Sequence, residues 1–165
     1  FYTISSPDTD DTFELTVSYD PEEGGDFSEY LLSLREGDPV TITGPFGSNH
    51  YEGESRVVVL AGGPGIGPAV AIAERALADG GGAAVVYRDD EPLYEDRLAA
   101  LAAASADVFV LTESTPLTDA VSDVLTGEDG EQVFVYGFSG FIADAEAAID
   151  TAGAAGEDAK TENFG

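Results

Sequence analysis

Val57-Val58-Val59-Leu60-Ala61 runs directly into Gly62-Gly63-Pro64-Gly65-Ile66-Gly67-Pro68, and the chemistry open to such a stretch is anion binding. Glycines let the backbone turn sharply and approach a ligand closely. A helix opening at that point turns unpaired N–H groups and the positive end of its dipole toward a phosphate. Pro68 suits the first helical position, where no N–H is required. The same run also reads as a Gly-rich βα turn without a ligand, because such turns are only moderately specific. It does not follow the G-x-G-x-x-G spacing, and Tyr87-Arg88 stands at the end of the next strand where an acidic residue would meet an NAD ribose. Arg88 is therefore open to two readings: a partner for a 2′-phosphate, or a solvated residue at a strand end.

Other chemistry is thinly provided for. The chain holds no cysteine and one histidine, His50 in the loop Asn49-His50-Tyr51. Disulfides, thiolate catalysis and Cys-ligated clusters are thus excluded within these residues, and no metal site is expected. A bulky residue at Gly65 is expected to abolish nucleotide binding and leave the fold intact.

The elements that position the glycine loop belong to a second half of the chain, residues 54–165. There the spacing predicts strands at Arg56–Ala61, Ala83–Tyr87, Asp107–Leu111 and Gln132–Tyr136, with a last short one at Lys160–Phe164. Between them lie predicted helices near Pro68–Ala78, Leu93–Ala103, Leu117–Leu125 and Phe141–Ala152. Continuous apolar strands alternating with helices imply an α/β doubly wound parallel sheet, covered on both faces. Residues 1–53 read differently. Tyr2–Ser6, Phe13–Tyr19 and Val40–Thr43 are β-branched and aromatic runs, and Phe13–Tyr19 alternates with period two, as half-buried antiparallel strands do. With a short helix at Phe27–Leu34, this half is expected to form a partial antiparallel β-barrel. Three strands cannot close a barrel, so N-terminal strands are expected to be missing, about fifty residues by domain size.

Asp+Glu number 33 against Lys+Arg 6, a formal net charge of -27 spread along the whole chain. That argues against nucleic acid and anionic membranes, which need cationic surfaces. It fits a cytoplasmic protein adapted to high salt, where screening shortens self-repulsion to about 3 Å at 1 M; a merely acidic protein is the alternative. The longest apolar stretch, Leu98 to Leu111, is Ala-rich and broken by Asp107, so no membrane span is expected.

Taken together, several stretches resemble the ferredoxin–NADP reductase superfamily, which includes the reductase domains of flavohaemoglobins and oxygenases. Ala61–Pro68 is similar to that family's Gly-Gly-Thr-Gly-Ile-Ala-Pro nucleotide loop, and Phe1-Tyr2-Thr3-Ile4-Ser5-Ser6 to its Arg-x-Tyr-Ser flavin motif. Gly25-Asp26-Phe27-Ser28 resembles its Gly-x-x-Ser helix start, the stretch Gly37–Gly47 its closing barrel strand, and Glu162-Asn163-Phe164-Gly165 its Glu-x-Phe-Gly terminus.

The resemblance implies an FAD-dependent oxidoreductase that takes a hydride from NADPH or NADH and passes electrons to a separate acceptor, a ferredoxin or a small molecule. A nucleotide-binding electron-transfer or regulatory subunit without its own turnover is the alternative. It implies that Tyr2 stacks on the isoalloxazine, that Thr3 hydrogen-bonds near flavin N5, and that Val17 to Tyr19 line the FAD backbone. The helix start at Gly25, Asp26, Phe27 and Ser28 would hold the FAD pyrophosphate. Gly62, Gly63, Pro64, Gly65, Ile66 and Gly67 would face the nicotinamide nucleotide's phosphates. Gly137, Phe138 and Ser139 would lie beside the nicotinamide, and Phe164 would shield the flavin's other face. Tyr2, Thr3 and Phe164 are thus the residues implied at the reacting centre. Glu162 reads either as a proton relay or as a solvent-facing carboxylate.

Three positions depart from the family pattern: no arginine precedes Phe1, Pro64 replaces a threonine, and Tyr136-Gly137-Phe138 stands where Cys-Gly-Pro is usual. The last puts the rate in doubt rather than nucleotide binding.

Overall fold

The computed structural model describes residues 2–18 and 26–164. Residues 56–163 build a parallel sheet of β1 (Arg56–Gly62), β2 (Gly82–Arg88), β3 (Asp107–Leu111), β4 (Glu131–Gly137) and β5 (Lys160–Asn163). The spatial order is β3-β2-β1-β4-β5, and every pairing is parallel. The chain starts in the middle, builds outward to β3, then returns to the other side of β1. This reversal between β1 and β4 opens a crevice at the carboxyl ends of those strands, the place where doubly wound sheets bind ligands.

Helices α2 (Ile66–Ala78), α3 (Glu95–Ala103), α4 (Thr118–Val124) and α5 (Ser139–Thr151) cover the sheet. On one face Val57, Val59, Val85 and Phe134 meet Val70 and Ala73 of α2 and Leu98 of α3. On the other, Val58, Leu60, Val86 and Val135 meet Val121 of α4 and Ile149 of α5. Burial on both faces explains why β1 is an unbroken apolar run: Val57 to Leu60 are fully buried, each side chain contributing about 1.5–3 kcal/mol by transfer from water. Small residues Ala69, Ala73 and Ala76 let α2 lie close to the sheet.

In the first third of the chain the described residues do not show the expected barrel. Helix α1 (Asp26–Ser33) forms within one residue of its predicted place. Among the described residues before Arg56, however, the only β pairing is a single antiparallel bridge, Ile4 to Leu15, with Ser5 N–H donating to the Glu14 carbonyl at 2.8 Å. Val40–Thr43 has the alternation of a strand but no ladder partner among the described residues, and Ile42 and Phe46 stay exposed. A strand exists through its neighbour, and the pattern of one segment does not supply the neighbour.

The segment nevertheless docks firmly on the sheet domain. Ser5, fully buried, shares a hydroxyl contact of 2.8 Å with Thr16, which meets the Tyr94 hydroxyl at 2.9 Å. Arg97 of α3 donates to the Ser5 carbonyl at 3.0 Å and pairs with Glu74 of α2 at 2.7 Å. At the other end of the sheet, Lys160 donates to the His50 carbonyl, Glu52 and Glu54 at 2.7–2.9 Å. Desolvation opposes the charge on Lys160, but those carboxylates outweigh it and raise its pKa, while its ammonium lowers that of Glu52.

Candidate functional site

The glycine loop is shaped by three different demands. Gly63 adopts φ +55, a left-handed conformation that other residues rarely hold, and nothing lies within 4 Å of the position its Cβ would take. Gly63–Gly65 form one 3₁₀ turn, and the Ile66 N–H closes it onto the Gly63 and Pro64 carbonyls. Gly62 and Gly137 are needed for packing: a Cβ at either would come within 2.5 and 2.8 Å of the Phe141 ring. Gly65 backs onto the Tyr136 carbonyl and Gly67 onto the hydroxyls of Ser5 and Thr16, each too closely for any side chain. A bulky residue at Gly65 therefore disturbs the fold itself, contrary to the expectation that only ligand binding would suffer.

Above the carboxyl ends of β1, β2 and β4 lies a pocket of about 520 Å³, a size suited to a small molecule or nucleotide moiety. Gly62, Gly63, Arg88 and Phe138, all predicted, line it together with Glu113, Gly140, Phe141 and Asp144. Pro64, Gly65, Ile66, Gly67, Gly137 and Ser139 do not line this pocket; they belong to the 3₁₀ turn, the end of β4 and the starts of α2 and α5 that border it. Phe141 and Asp144 stand three apart on α5, hence on one face. The sequence offered only that spacing as a signal, and Glu113 enters from the loop after β3 with no local pattern to mark it.

Arg88 is the pocket's cation. Its guanidinium lies over the Phe141 ring, 5.1 Å from the centroid, and pairs with Asp144 at 2.9 Å. The reading as a solvated strand-end residue is thus corrected, since Arg88 is buried at 9% exposure. Beside it, burial pushes the Tyr87 phenol up to about 12, so the hydroxyl stays protonated and donates to Asp89 at 3.1 Å.

Next to the pocket, across β4 and β5, lies a second group of expected residues. Gly137 pairs in register with Asn163, and Tyr136 with Glu162. Thr3 donates to the Glu162 carboxylate at 2.8 Å, so Glu162 faces a hydroxyl as well as solvent. Phe164 stacks on Tyr136 at 6.4 Å and meets Phe138 edge-on at 6.5 Å, with its N–H donating to the Gly137 carbonyl. The Tyr136 hydroxyl donates to the Asn49 carbonyl at 2.6 Å, and burial holds this phenol far above its ordinary pKa. On α1, Ser28 lies 2.9 Å from the Tyr2 hydroxyl, and Phe27 packs at 5.8 Å against the Tyr2 ring. Tyr2, Phe27 and Ser28 are thus brought together. Val17 is half-buried beside Thr16, and Asp26 opens α1. Tyr19 and Gly25, along with Phe1 and Gly165 of the quoted motifs, lie outside the described residues.

Among the described residues, no group of three or more His, Cys, Asp or Glu side chains could hold a metal ion. No helix is long and apolar enough to cross a membrane.

Residues 1–51 match the family model of the oxidoreductase FAD-binding domain. A probable dihydroorotate dehydrogenase B (NAD(+)) electron transfer subunit from Methanopyrus kandleri is 42% identical over 66 residues, 40% of this chain and 24% of that protein. NADH-cytochrome b5 reductase 1 from Eremothecium gossypii is 36% identical over 119 residues, 66% of this chain and 40% of that protein. The chain therefore spans less than half the length of these curated relatives. Among solved structures, the flavohem-like FAD/NAD binding domain of nitric oxide dioxygenase from Vibrio cholerae superposes with a TM-score of 0.79 at 19% identity, covering 99% of this chain and 76% of that one. The start of the chain thus matches an FAD-binding-domain family model, and nearly the whole chain shares its fold with an FAD/NAD-binding domain of known structure.

Proposed function

We propose that the chain is the cofactor-binding part of an FAD-dependent NAD(P)H oxidoreductase that delivers electrons to a separate acceptor. The observation that carries this reading is the Gly62–Gly63 pocket at the carboxyl ends of β1, β2 and β4, with Glu162 of the Thr3–Glu162 pair on β5, the strand next to β4. The residues fit both groups. Gly63 and Gly140 leave open space where a side chain would otherwise block a nucleotide. Tyr2, Phe27 and Tyr30 form a linked set of rings, with Phe27 and Tyr30 exposed, of the kind that receives a flat ring system.

FAD and the nicotinamide supply the hydride and electron chemistry when bound; no side chain here offers it. The protein's part is placement. The Gly63 turn and the start of α5 at Ser139 would meet phosphates with backbone N–H groups. Phe138 and Phe141 give the pocket apolar walls that exclude water. Thr3, held by Glu162, keeps a hydroxyl fixed in orientation, and Ser28 does the same for Tyr2. With no cysteine in the chain, a Cys-ligated cluster in the electron path comes from outside these residues, as in a ferredoxin. The acidic surface suits work in a salty cytoplasm.

A visible spectrum in molar salt, taken anaerobically before and after NADH or NADPH, tests the proposal. Flavin bands that bleach are expected. A protein with no flavin bands would overturn it. Bands that persist would favour a second reading, an electron-transfer subunit reduced by another donor, to which the name of the Methanopyrus relative lends support.

A further inference from the structure

The pocket's side chains include one cation and two carboxylates, Arg88 against Glu113 and Asp144. That cation is already committed. The Arg88 side chain is 10% exposed, its Nη2 donates to Asp144 at 2.9 Å, and the plane rests on Phe141. Its Nε–H is buried with no acceptor among the described residues. Asp144, at 59% side-chain exposure, stands at the solvent side of the pair.

We propose that this pocket selects the nicotinamide dinucleotide without a 2′-phosphate, with Asp144 as the specificity-determining residue and Glu113 reinforcing it. The inference rests on the nucleotide reading of the pocket given above. The pyrophosphate is common to NADH and NADPH, so its interaction with this acidic protein cancels from the comparison. What differs is a hydroxyl against a dianion. A ribose hydroxyl can donate to either carboxylate. A 2′-phosphate has no proton to spare for them and is repelled by both. To reach Arg88 it must displace Asp144, leaving that carboxylate unpaired beside the phosphate. An arginine at this strand end would ordinarily welcome a 2′-phosphate; the ion pair turns the same position into an obstacle, discriminating by repulsion rather than by a better fit.

Equilibrium titrations of the FAD-loaded protein with NAD⁺ and with NADP⁺, in about 0.2 M and about 2 M KCl, read the effect directly. NAD⁺ is expected to bind at least about tenfold more tightly, with the ratio narrowing in high salt as the repulsion is screened. Asp144→Asn keeps the shape of an exposed side chain and is expected to shrink the ratio by about tenfold, and Glu113→Gln by a smaller factor. Equal or tighter binding of NADP⁺ by the unaltered protein overturns the proposal. So does a ratio that neither substitution moves. Binding of neither nucleotide overturns the nucleotide reading of the pocket itself, and with it this inference.

Discussion

A side chain added at Gly140 meets nothing within 4 Å on the wall of the pocket, whereas one added at Gly65 collides with the Tyr136 carbonyl. The two glycines therefore separate ligand binding from folding. Gly140→Leu is expected to weaken nicotinamide nucleotide binding about tenfold or more by filling the cavity, with thermal stability kept or raised by up to about 1 kcal/mol, because Gly140 lies in α5. Gly65→Leu is expected to lose about 3 kcal/mol or more of stability by overpacking. Calorimetric titration beside urea unfolding of both variants checks the pair. A Gly140→Leu protein that binds as before would remove this pocket from the nucleotide's path.

At the scale of elements, the turn that launches β4 depends on one carboxylate. Glu131 accepts N–H bonds from Thr126 and Gly127, the Thr126 hydroxyl at 2.7 Å, and Arg56 at 3.0 Å. Burial alone would raise its pKa; these donors outweigh it and hold the carboxyl below its ordinary value of 4.5. A depressed carboxylate contributes stability that is present above about pH 4.5 and is lost as pH falls through its folded pKa. Glu131→Gln is thus expected to cost about 1–3 kcal/mol at pH 7, with the variant and the unaltered protein converging in acid. Urea melts along a pH series check this, and a cost that persists unchanged in acid would assign the loss to packing instead. Elements of this half were largely legible in the sequence. β1 to β4 each begin or end within a residue of their predicted bounds. For β1 and β2 the reason is burial on both faces, which demands a continuous apolar run, while β3 is an edge strand marked by its β-branched and aromatic residues. Val40–Thr43 was not legible, since alternation says which face is apolar but not which chain segment pairs with it. The site was half legible for a similar reason. Gly62, Gly63, Arg88 and Phe138 sit at strand ends that local pattern marks, while Glu113, Phe141 and Asp144 arrive by tertiary crossings. The spacing of the loop also could not tell Gly63, which faces open space, from Gly65 and Gly67, which face protein.

For the whole molecule, a net charge of -27 on 165 residues sets the conditions under which anything else can be measured. Arg56, Arg75, Arg88, Arg97 and Lys160 each sit in an ion pair, yet the acids vastly outnumber them and repel one another across the surface. Raising KCl from about 0.1 M to about 2 M cuts the reach of that repulsion several-fold. The midpoint of thermal unfolding is expected to rise by about 10 °C or more across that range, more than the ion pairs lose to the same screening. Differential scanning calorimetry checks it, and a flat or falling midpoint would show that self-repulsion is not what limits stability.

The engagement of those same cations reaches into how the chain is cut. Trypsin recognises Lys and Arg, of which there are 6, and Arg56, Arg88 and Lys160 lie inside strands with their side chains clamped by carboxylates or stacked on rings. Digestion at those bonds requires the sheet to open, so its rate reports the population of globally opened molecules. An enzyme that cleaves beside Asp and Glu instead finds exposed residues from 7 to 13, Asp8, Asp10 and Asp11 among them, and is expected to nick the folded protein there.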